Sequence, residues 1–145
     1  MLTRQLIFAS LLSLLLLTGC QRDTPLAALE HAVQELQDNL EEKSINAVLE
    51  QLHPQFLAQE QYDSQWAKRT MALMFFRHKN VQVIALGTHS QIDPTYPDKG
   101  YTEANVTLLG AEGLLPDSAR QYPVRMQWWL EQGEWRLARL DWDRD

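Results

Sequence analysis

An apolar run near the start of the chain limits which residues can enter a folded domain. Residues Leu6 to Leu17 are apolar apart from two serines, and a single charge, Arg4, precedes them. This run is 12 residues long, whereas a helix that crosses a bilayer needs about 20 apolar residues. A short apolar stretch behind a basic N-terminus is typical of an export signal. We therefore expect the fold to be built from the residues that follow.

The residues that end this run carry a second pattern. Leu17-Thr18-Gly19-Cys20 resembles the bacterial lipobox, at which lipoprotein precursors are lipidated and cleaved. The resemblance implies cleavage between Gly19 and Cys20 and a diacylglyceryl group on the Cys20 thiol. Each acyl chain contributes about 0.8 kcal/mol per buried methylene, and two or more chains hold a protein on a membrane. The alternative is an ordinary secretory signal, in which the only cysteine of the chain stands at this position by chance.

The lipobox resemblance also implies where the protein is held. In Gram-negative lipoproteins the residue after the cysteine influences sorting, and Gln21 is not the aspartate associated with retention in the inner membrane. We expect a lipid anchor at the periplasmic face of the outer membrane, with the membrane as a partner through Cys20. Residues 1–19 are then the signal peptide, residues 20–24 the lipidated cysteine and a short tether, and residues 25–145 a single domain.

Composition restricts the chemistry that this domain can carry. The chain has 125 residues after Cys20, which is enough for one hydrophobic core. With Cys20 lipidated, no cysteine remains for a disulfide or a cysteine metal site. The same 125 residues hold 12 Lys and Arg against 19 Asp and Glu, and this acidic balance disfavours nucleic acid as a partner because phosphate binding needs a basic surface.

Two amphipathic helices are predicted to open the domain. Thr24 and Pro25 form a helix start signal, and leucines and a valine then recur at helical spacing to about Lys43. Ser44 can cap a second, short helix, which should stop before Pro54 because proline disfavours helical geometry in the preceding residue. The two helices are expected to form a hairpin.

A third helix and a first strand follow. Asp63 or Ser64 could cap a helix that runs to about Lys79, and its apolar residues cover most of its circumference. A helix of this kind is usually buried. From Val81 to Leu86 the chain is apolar and β-branched, which predicts a strand that continues less clearly to Ile92.

Alternation of apolar and polar residues predicts three more strands. Thr102 to Leu108 and Val124 to Leu130 alternate, and the turn at Gln132-Gly133 leads into a return strand from Trp135 to Trp142. The apolar parity changes along this last strand, which indicates either a bulge or burial on both sides near Leu137-Ala138.

Three helices followed by a strand meander that closes on Gly133-Glu134-Trp135-Arg136-Leu137 resemble the nuclear transport factor 2-like group. The resemblance implies an α+β cone, in which N-terminal helices pack on a curved antiparallel sheet of about four strands. A hairpin that is often present between the second and third helices has only Pro54 to Tyr62 available here. A cystatin-like variant with fewer strands fits the same pattern, and the fold alone assigns no function.

The sequence offers little evidence for catalysis or metal binding. His31, His53, His78 and His89 are 22, 25 and 11 residues apart, without the close spacing of a helical metal pair. His31 and His53 are predicted at helix surfaces or ends. No nucleophile elbow, phosphate loop or dinucleotide fingerprint is present. We therefore predict no catalytic residue, no metal site and no cofactor.

The candidate binding surface comes from the strand pattern. Trp128 and Trp129 are adjacent, so their side chains must point to opposite faces of the sheet. By parity Trp128 belongs to the core, whereas Trp129 shares the wetter face with Arg125. An exposed tryptophan beside an arginine resembles a binding hot spot, although a loop or helix could equally cover it. Tyr101, near the loop that joins the first two strands, completes this candidate surface, and an ordinary solvated turn is the alternative at this loop.

Two functions remain open at this point, and dimerisation is compatible with both. The first is a non-enzymatic accessory module that binds another protein or peptidoglycan-associated machinery of the envelope. The second is a small-molecule binder or enzyme that uses the interior of the cone, which would need two or more convergent polar groups in a cavity. A homodimer through the open sheet face could accompany either function.

Overall fold

The computed structural model describes residues 23–110 and 121–143. The predicted cleavage between Gly19 and Cys20 and the predicted lipidation of Cys20 lie outside these residues.

Three helices and five strands form the described part of the chain. In chain order they are α1 (Pro25–Glu41), α2 (Ile45–Gln51), β1 (Leu52–Ala58), α3 (Ser64–Arg77), β2 (Val81–Ile92), β3 (Lys99–Gly110), β4 (Tyr122–Glu131) and β5 (Glu134–Trp142). Ser44 precedes α2 as predicted, but its side chain forms no cap hydrogen bond. The other two predicted caps do form: the Thr24 hydroxyl accepts from the Ala27 N–H at 3.1 Å, and Asp63 accepts from the Trp66 N–H at 3.0 Å. These bonds satisfy N–H groups that a helix start leaves free.

The sheet has five strands in the order β1-β5-β4-β3-β2, and β1 runs parallel to β5. The prediction of an antiparallel sheet of about four strands was therefore wrong in strand count and in this pairing, although the α+β class is confirmed. Helix α2 does end before Pro54, but the chain then continues directly into β1. A register irregularity between Leu52 and Leu57 accommodates Pro54, which explains why alternation alone did not reveal this strand.

The last hairpin matches its prediction closely. Gln132 and Gly133 have φ angles of 49° and 80°, as the central residues of a tight hairpin turn require. Gln127 pairs with Arg139 and Trp128 pairs with Leu137, so Ala138 is the extra residue of a β-bulge. The bulge was one of the two predicted alternatives for this position, and it explains why the apolar parity changes there.

Helix α1 crosses one face of the sheet and forms the core with it. The fully buried large side chains are those of Leu29, Thr102, Trp128 and Leu137. The Ser90 and Thr102 hydroxyls hydrogen-bond to each other at 2.9 Å within this layer, which satisfies two buried polar groups. The buried apolar side chains of the described residues lie between Leu29 and Ala138, so a chain that begins at Gln21 keeps this core.

Helix α3 is much more exposed than its composition predicted. Of its residues only Met71 is buried, whereas Leu73 and Phe76 are 50% and 89% exposed. The inward side of the helix packs through residues such as Trp66, whose ring stacks on Tyr62 at 4.7 Å. The predicted burial on most sides was wrong, because one side satisfies the packing and the other faces away from the core. Among the described residues no helix is long and apolar enough to cross a membrane.

Candidate functional site

The two adjacent tryptophans of β4 divide the sheet into an inner and an outer face. Trp128 pairs with Gly100 and Leu137 and is 0% exposed, which confirms its predicted place in the core. Trp129 pairs with Lys99 and Arg136 on the outer face, away from α1. The candidate surface therefore lies on the side of the sheet that the helices leave free.

Trp129 is half-buried because side chains from the flanking strands lie against its ring. The Lys99 ammonium is 4.2 Å from the ring centroid, and the Arg139 guanidinium is 5.0 Å from it. The His53 imidazole meets the same ring edge-on, with 4.7 Å between centroids. Of the two alternatives for Trp129, exposed or covered, the structure has the covered one. Strand side chains rather than a loop or helix provide the cover.

His53 is fixed in one tautomer by its two hydrogen bonds. The Gln55 backbone N–H donates to Nδ1 at 3.0 Å, so the ring proton of neutral His53 must be on Nε2. Nε2 then donates to the Glu131 carboxylate at 2.7 Å. The prediction that His53 lies at a helix surface or end was wrong: it belongs to β1 and is 5% exposed. It positions the edge of Trp129.

Neither cation on Trp129 forms a salt bridge with a carboxylate among the described residues, although Lys99 is close enough to Asp93 to help lower the pKa of that carboxyl. The Arg139 guanidinium donates to the backbone carbonyls of Gln55 and Ala138, both at 2.7 Å, and Lys99 forms no ion pair within the described ranges. Since both cations are measured from one centroid, they are at most about 9 Å apart. One carboxylate or phosphate group could interact with both. We call Trp129, Lys99, Arg139, His53 and Glu131 the Trp129 site.

Tyr101 lies on the same face and is tied to Asp93. Its hydroxyl donates to Asp93 Oδ2 at 2.9 Å, and the backbone N–H groups of Thr95 and Tyr96 donate to Oδ1 at 2.8 Å. The two backbone bonds and then the Tyr101 bond hold the pKa of Asp93 below its ordinary 3.8. The same carboxylate raises the pKa of Tyr101 above 10.0. Tyr101 thus closes the β2–β3 turn, and its hydroxyl is already engaged.

Arg125 is on the outer face but is directed to a different partner. Its guanidinium donates two hydrogen bonds to the Asp143 carboxylate, at 2.9 and 3.1 Å. This pairing raises the pKa of Arg125 and lowers that of Asp143. Four residues of extended strand, about 13 Å, separate Arg125 from Trp129. The predicted trio of Trp129, Arg125 and Tyr101 shares one face, but the cations that contact Trp129 are Lys99 and Arg139.

Sequence reasoning missed Lys99, Arg139 and the role of His53. The position of Lys99 opposite Trp129 follows only once β3 and β4 are paired in register. Arg139 reaches the ring from the far side of the Ala138 bulge, and His53 from a strand that was not predicted. Neither of these two placements has a signal in the spacing of the residues.

Comparison with known proteins supports the fold and nothing finer. No protein-family model and no curated protein matches the chain. Among solved structures, an NTF2-like protein from Cytophaga hutchinsonii matches with a TM-score of 0.62 and 10% identity, over 81% of this chain and 95% of that one. A protein of unknown function with a cystatin-like fold from Nostoc punctiforme has a TM-score of 0.61 and 13% identity, over 81% and 89%. The chain has an NTF2-like, or cystatin-like, fold.

A third match shows the same fold within a longer protein. Bd1075 from Bdellovibrio bacteriovorus has a TM-score of 0.67 and 9% identity to this chain. The match covers 81% of this chain but only 39% of Bd1075. At this level of identity the likeness concerns the NTF2-like fold alone.

The inner face of the NTF2-like cone is filled where Trp128 and Leu29 meet, since both side chains are 0% exposed. A cleft of about 340 Å³ lies beside this core, between α1, α2 and the β4–β5 turn. Its polar lining includes His31, Glu35 and Arg136. Among the residues that the structure describes, no group of three or more His, Cys, Asp and Glu could hold a metal ion.

Proposed function

We propose that the chain is a lipoprotein of the bacterial cell envelope, held on a membrane by lipid on Cys20, with a non-enzymatic binding role. Its domain binds an envelope partner at the Trp129 site through carboxylate or phosphate groups of that partner. The periplasmic face of the outer membrane is the proposed location. The lipobox sequence supports the anchor, and the geometry around Trp129 supports the binding role.

One observation carries the binding role: two cations lie on one tryptophan ring, and neither forms a salt bridge among the described residues. Two like charges within about 9 Å of each other repel, and an anion bound between them would relieve that repulsion. The indole Nε1 of Trp129 is also buried without a hydrogen-bond partner in the described ranges. The Nε1 of the core residue Trp128 is buried without a partner in the same ranges, so the binding role rests on the two cations and not on this atom.

Titration with a simple anion tests the binding role directly. The chain from Gln21 to Asp145 would be titrated with inorganic phosphate, while the indole N–H signals of its tryptophans are followed by NMR at constant ionic strength. We expect the Trp129 signal to shift in a saturable way and the K99A/R139A variant to lose that shift. The R125A variant is the matched control, because Arg125 is on the same face but paired with Asp143. Equal responses from wild type and K99A/R139A would remove the support for an anion site.

The anchor is tested by the mass and location of the protein made in cells. We expect the wild-type protein to begin at Cys20, to carry the added mass of a diacylglyceryl group and a further acyl chain, and to fractionate with membranes. The C20S variant should carry no lipid and should associate with membranes less strongly than the wild type. A wild-type protein that is cleaved without added lipid would support the ordinary secretory signal instead.

A second candidate function rests on the cleft beside α1. Its volume of about 340 Å³ is at the lower end of the range for small-molecule sites. Its lining is polar, and some of the lining residues already hydrogen-bond to each other. The Asn39 amide donates to the Gln51 side-chain oxygen at 2.9 Å, and the Gln51 amide donates to the Ala32 carbonyl at 3.2 Å. Native mass spectrometry of the chain from Gln21 would favour this function if it showed a reproducible small adduct that A47W, at a partly exposed lining position, abolished.

A further inference from the structure

The charges of the chain are distributed very unevenly. From Ser64 to Ile92 the sequence has four cations, Lys68, Arg69, Arg77 and Lys79, and no Asp or Glu. The rest of the chain has 19 Asp and Glu and nine Lys and Arg. None of the four cations forms an ion pair with any residue that the structure describes. Helix α3 is therefore a basic element in an acidic protein.

The same helix exposes its apolar residues among these cations. Leu73 is 50% exposed and Phe76 is 89% exposed. Arg69 and Arg77 lie four residues before and after Leu73, which places all three along one stripe of the helix. Lys68 lies beside this stripe and is also exposed. We call Lys68, Arg69, Leu73, Phe76 and Arg77 the α3 face.

We propose that the α3 face binds the surface of a membrane that contains anionic phospholipids. Helices that lie in the membrane interface combine aromatic and leucine side chains with Lys and Arg, as this face does. The cations would contact headgroup phosphates, while Phe76 and Leu73 enter the boundary with the acyl chains. An acidic protein could also pair with these cations. However, such a protein would need a pocket that fits the exposed Phe76 side chain, whereas a fluid lipid surface accommodates it without one.

This inference rests on the proposed location of the protein in the envelope and adds a second membrane contact. The Lys43 ammonium donates to the Phe75 and His78 carbonyls, which places the end of α3 near the end of α1. The tether to Cys20 enters at the opposite end of α1, at Pro25. A helix of 17 residues is about 25 Å long. Lipid and the α3 face would therefore hold the domain at two separated points and restrict its orientation.

Vesicle binding by the lipid-free chain from Gln21 to Asp145 tests the proposal. We expect sedimentation with vesicles of phosphatidylglycerol and phosphatidylethanolamine but not with vesicles of phosphatidylcholine alone. Each cation removed should weaken binding about five-fold, so K68Q/R77Q should bind about 25-fold more weakly, and L73S/F76S should also bind weakly. Two controls should bind normally: Y96S removes another exposed aromatic residue, and R125Q removes a cation that lies outside both α3 and the Trp129 site. Circular dichroism would verify that each variant is folded.

Three outcomes would overturn the proposal. The chain could fail to bind anionic vesicles, or it could bind phosphatidylcholine equally well. It could also bind polyglutamate and vesicles alike with no effect of L73S/F76S, in which case the face binds an acidic polypeptide. The chain used in this assay begins at Gln21 and lacks Cys20, so failure to bind vesicles would not count against the proposed lipid anchor. In the same way, absence of lipid on Cys20 in cells would not change the result of the vesicle assay.

Discussion

Trp128 and Trp129 are neighbours in the chain but lie on opposite faces of the sheet. The Trp128 side chain is fully buried against the helical layer, and the Trp129 ring lies under Lys99 and Arg139. One strand thus supplies a core residue and a candidate binding residue at consecutive positions. The two substitutions to alanine should therefore have different consequences.

We expect W128A to be strongly destabilising and W129A to be mainly a functional loss. Truncation of a buried tryptophan lowers the free energy of unfolding by about 3–5 kcal/mol. Truncation of Trp129, which is half-buried, should lower it by about 1–2 kcal/mol. Chemical denaturation of both variants measures the difference. If W129A unfolds as easily as W128A, Trp129 is a structural residue and the account of the outer face is wrong.

A second prediction concerns the close approach of Gly100 to Leu29. A Cβ atom on Gly100 would lie 2.6 Å from Leu29 Cδ2, and Leu29 is fully buried. The G100A substitution should destabilise the fold by about 1–3 kcal/mol through overpacking. In the G100A/L29A double variant the added methyl group occupies space that the L29A substitution vacates. The double variant should therefore lose less stability than the sum of the losses in the two single variants. Strict additivity would show that the two positions are not in contact.

The third prediction concerns pH and the Tyr101–Asp93 hydrogen bond. The folded pKa of Tyr101 lies above 10.0 because of Asp93, so this contribution to stability is complete below pH 10 and is lost as pH rises through the folded pKa. Absorbance titration should show one of the four tyrosines ionising later than the others, and D93N should return it toward 10.0. Y96F is the control. An unchanged titration in D93N would exclude the bond.

Asp93 has the opposite pH dependence. Its pKa is lowered from 3.8, first by the Tyr96 and Thr95 N–H groups and then by Tyr101. The stability that it contributes is therefore present above about pH 4 and is lost as pH falls through the folded pKa. We expect D93N to be less stable than wild type at pH 7, with the difference shrinking in acid. Urea midpoints at several pH values measure this trend, and a difference that grew in acid would contradict it.

A fourth prediction concerns Lys43, which joins the first helices to α3. Its ammonium donates to two carbonyls at the end of α3, and hydrogen bonds from charged groups contribute about 1.5–3 kcal/mol. K43M keeps most of the side-chain volume but removes the donors, so it should lower the free energy of unfolding by about that amount. Hydrogen exchange should then increase most in the last turn of α3. Protection that is unchanged there would argue against the cap.

The sequence predicted the elements with local signals well. Thr24 and Asp63 cap the helices where hydroxyl and carboxylate side chains precede helical spacing, and Gln132-Gly133 makes the hairpin turn. The parity change near Ala138 was visible because a bulge shifts every following side chain to the other face. The core position of Trp128 followed from alternation, because every second side chain of a strand lies on the same face of the sheet.

The predictions that were wrong or missing concern features that depend on tertiary contacts. Strand β1 was missed because Pro54 interrupts its alternation and because its partner, β5, is distant in sequence. The exposure of Phe76 could not be read from a helix that is apolar on most sides, since composition does not show which side finds a partner. The Trp129 site requires residues from four strands, and only the assembled register brings His53, Lys99 and Arg139 to one ring.

Photocrosslinking in living cells would show whether the Trp129 site contacts an envelope component. A photoreactive amino acid at position 127 would sit between Tyr101 and Arg139 on the outer face, in a chain that retains Cys20. We expect a discrete crosslinked product with an envelope component. This product should disappear in the K99A/R139A background. It should also be absent when the photoreactive residue replaces Glu30, which is exposed on α1. A product of equal yield in the K99A/R139A background, or no product from position 127, would contradict this expectation.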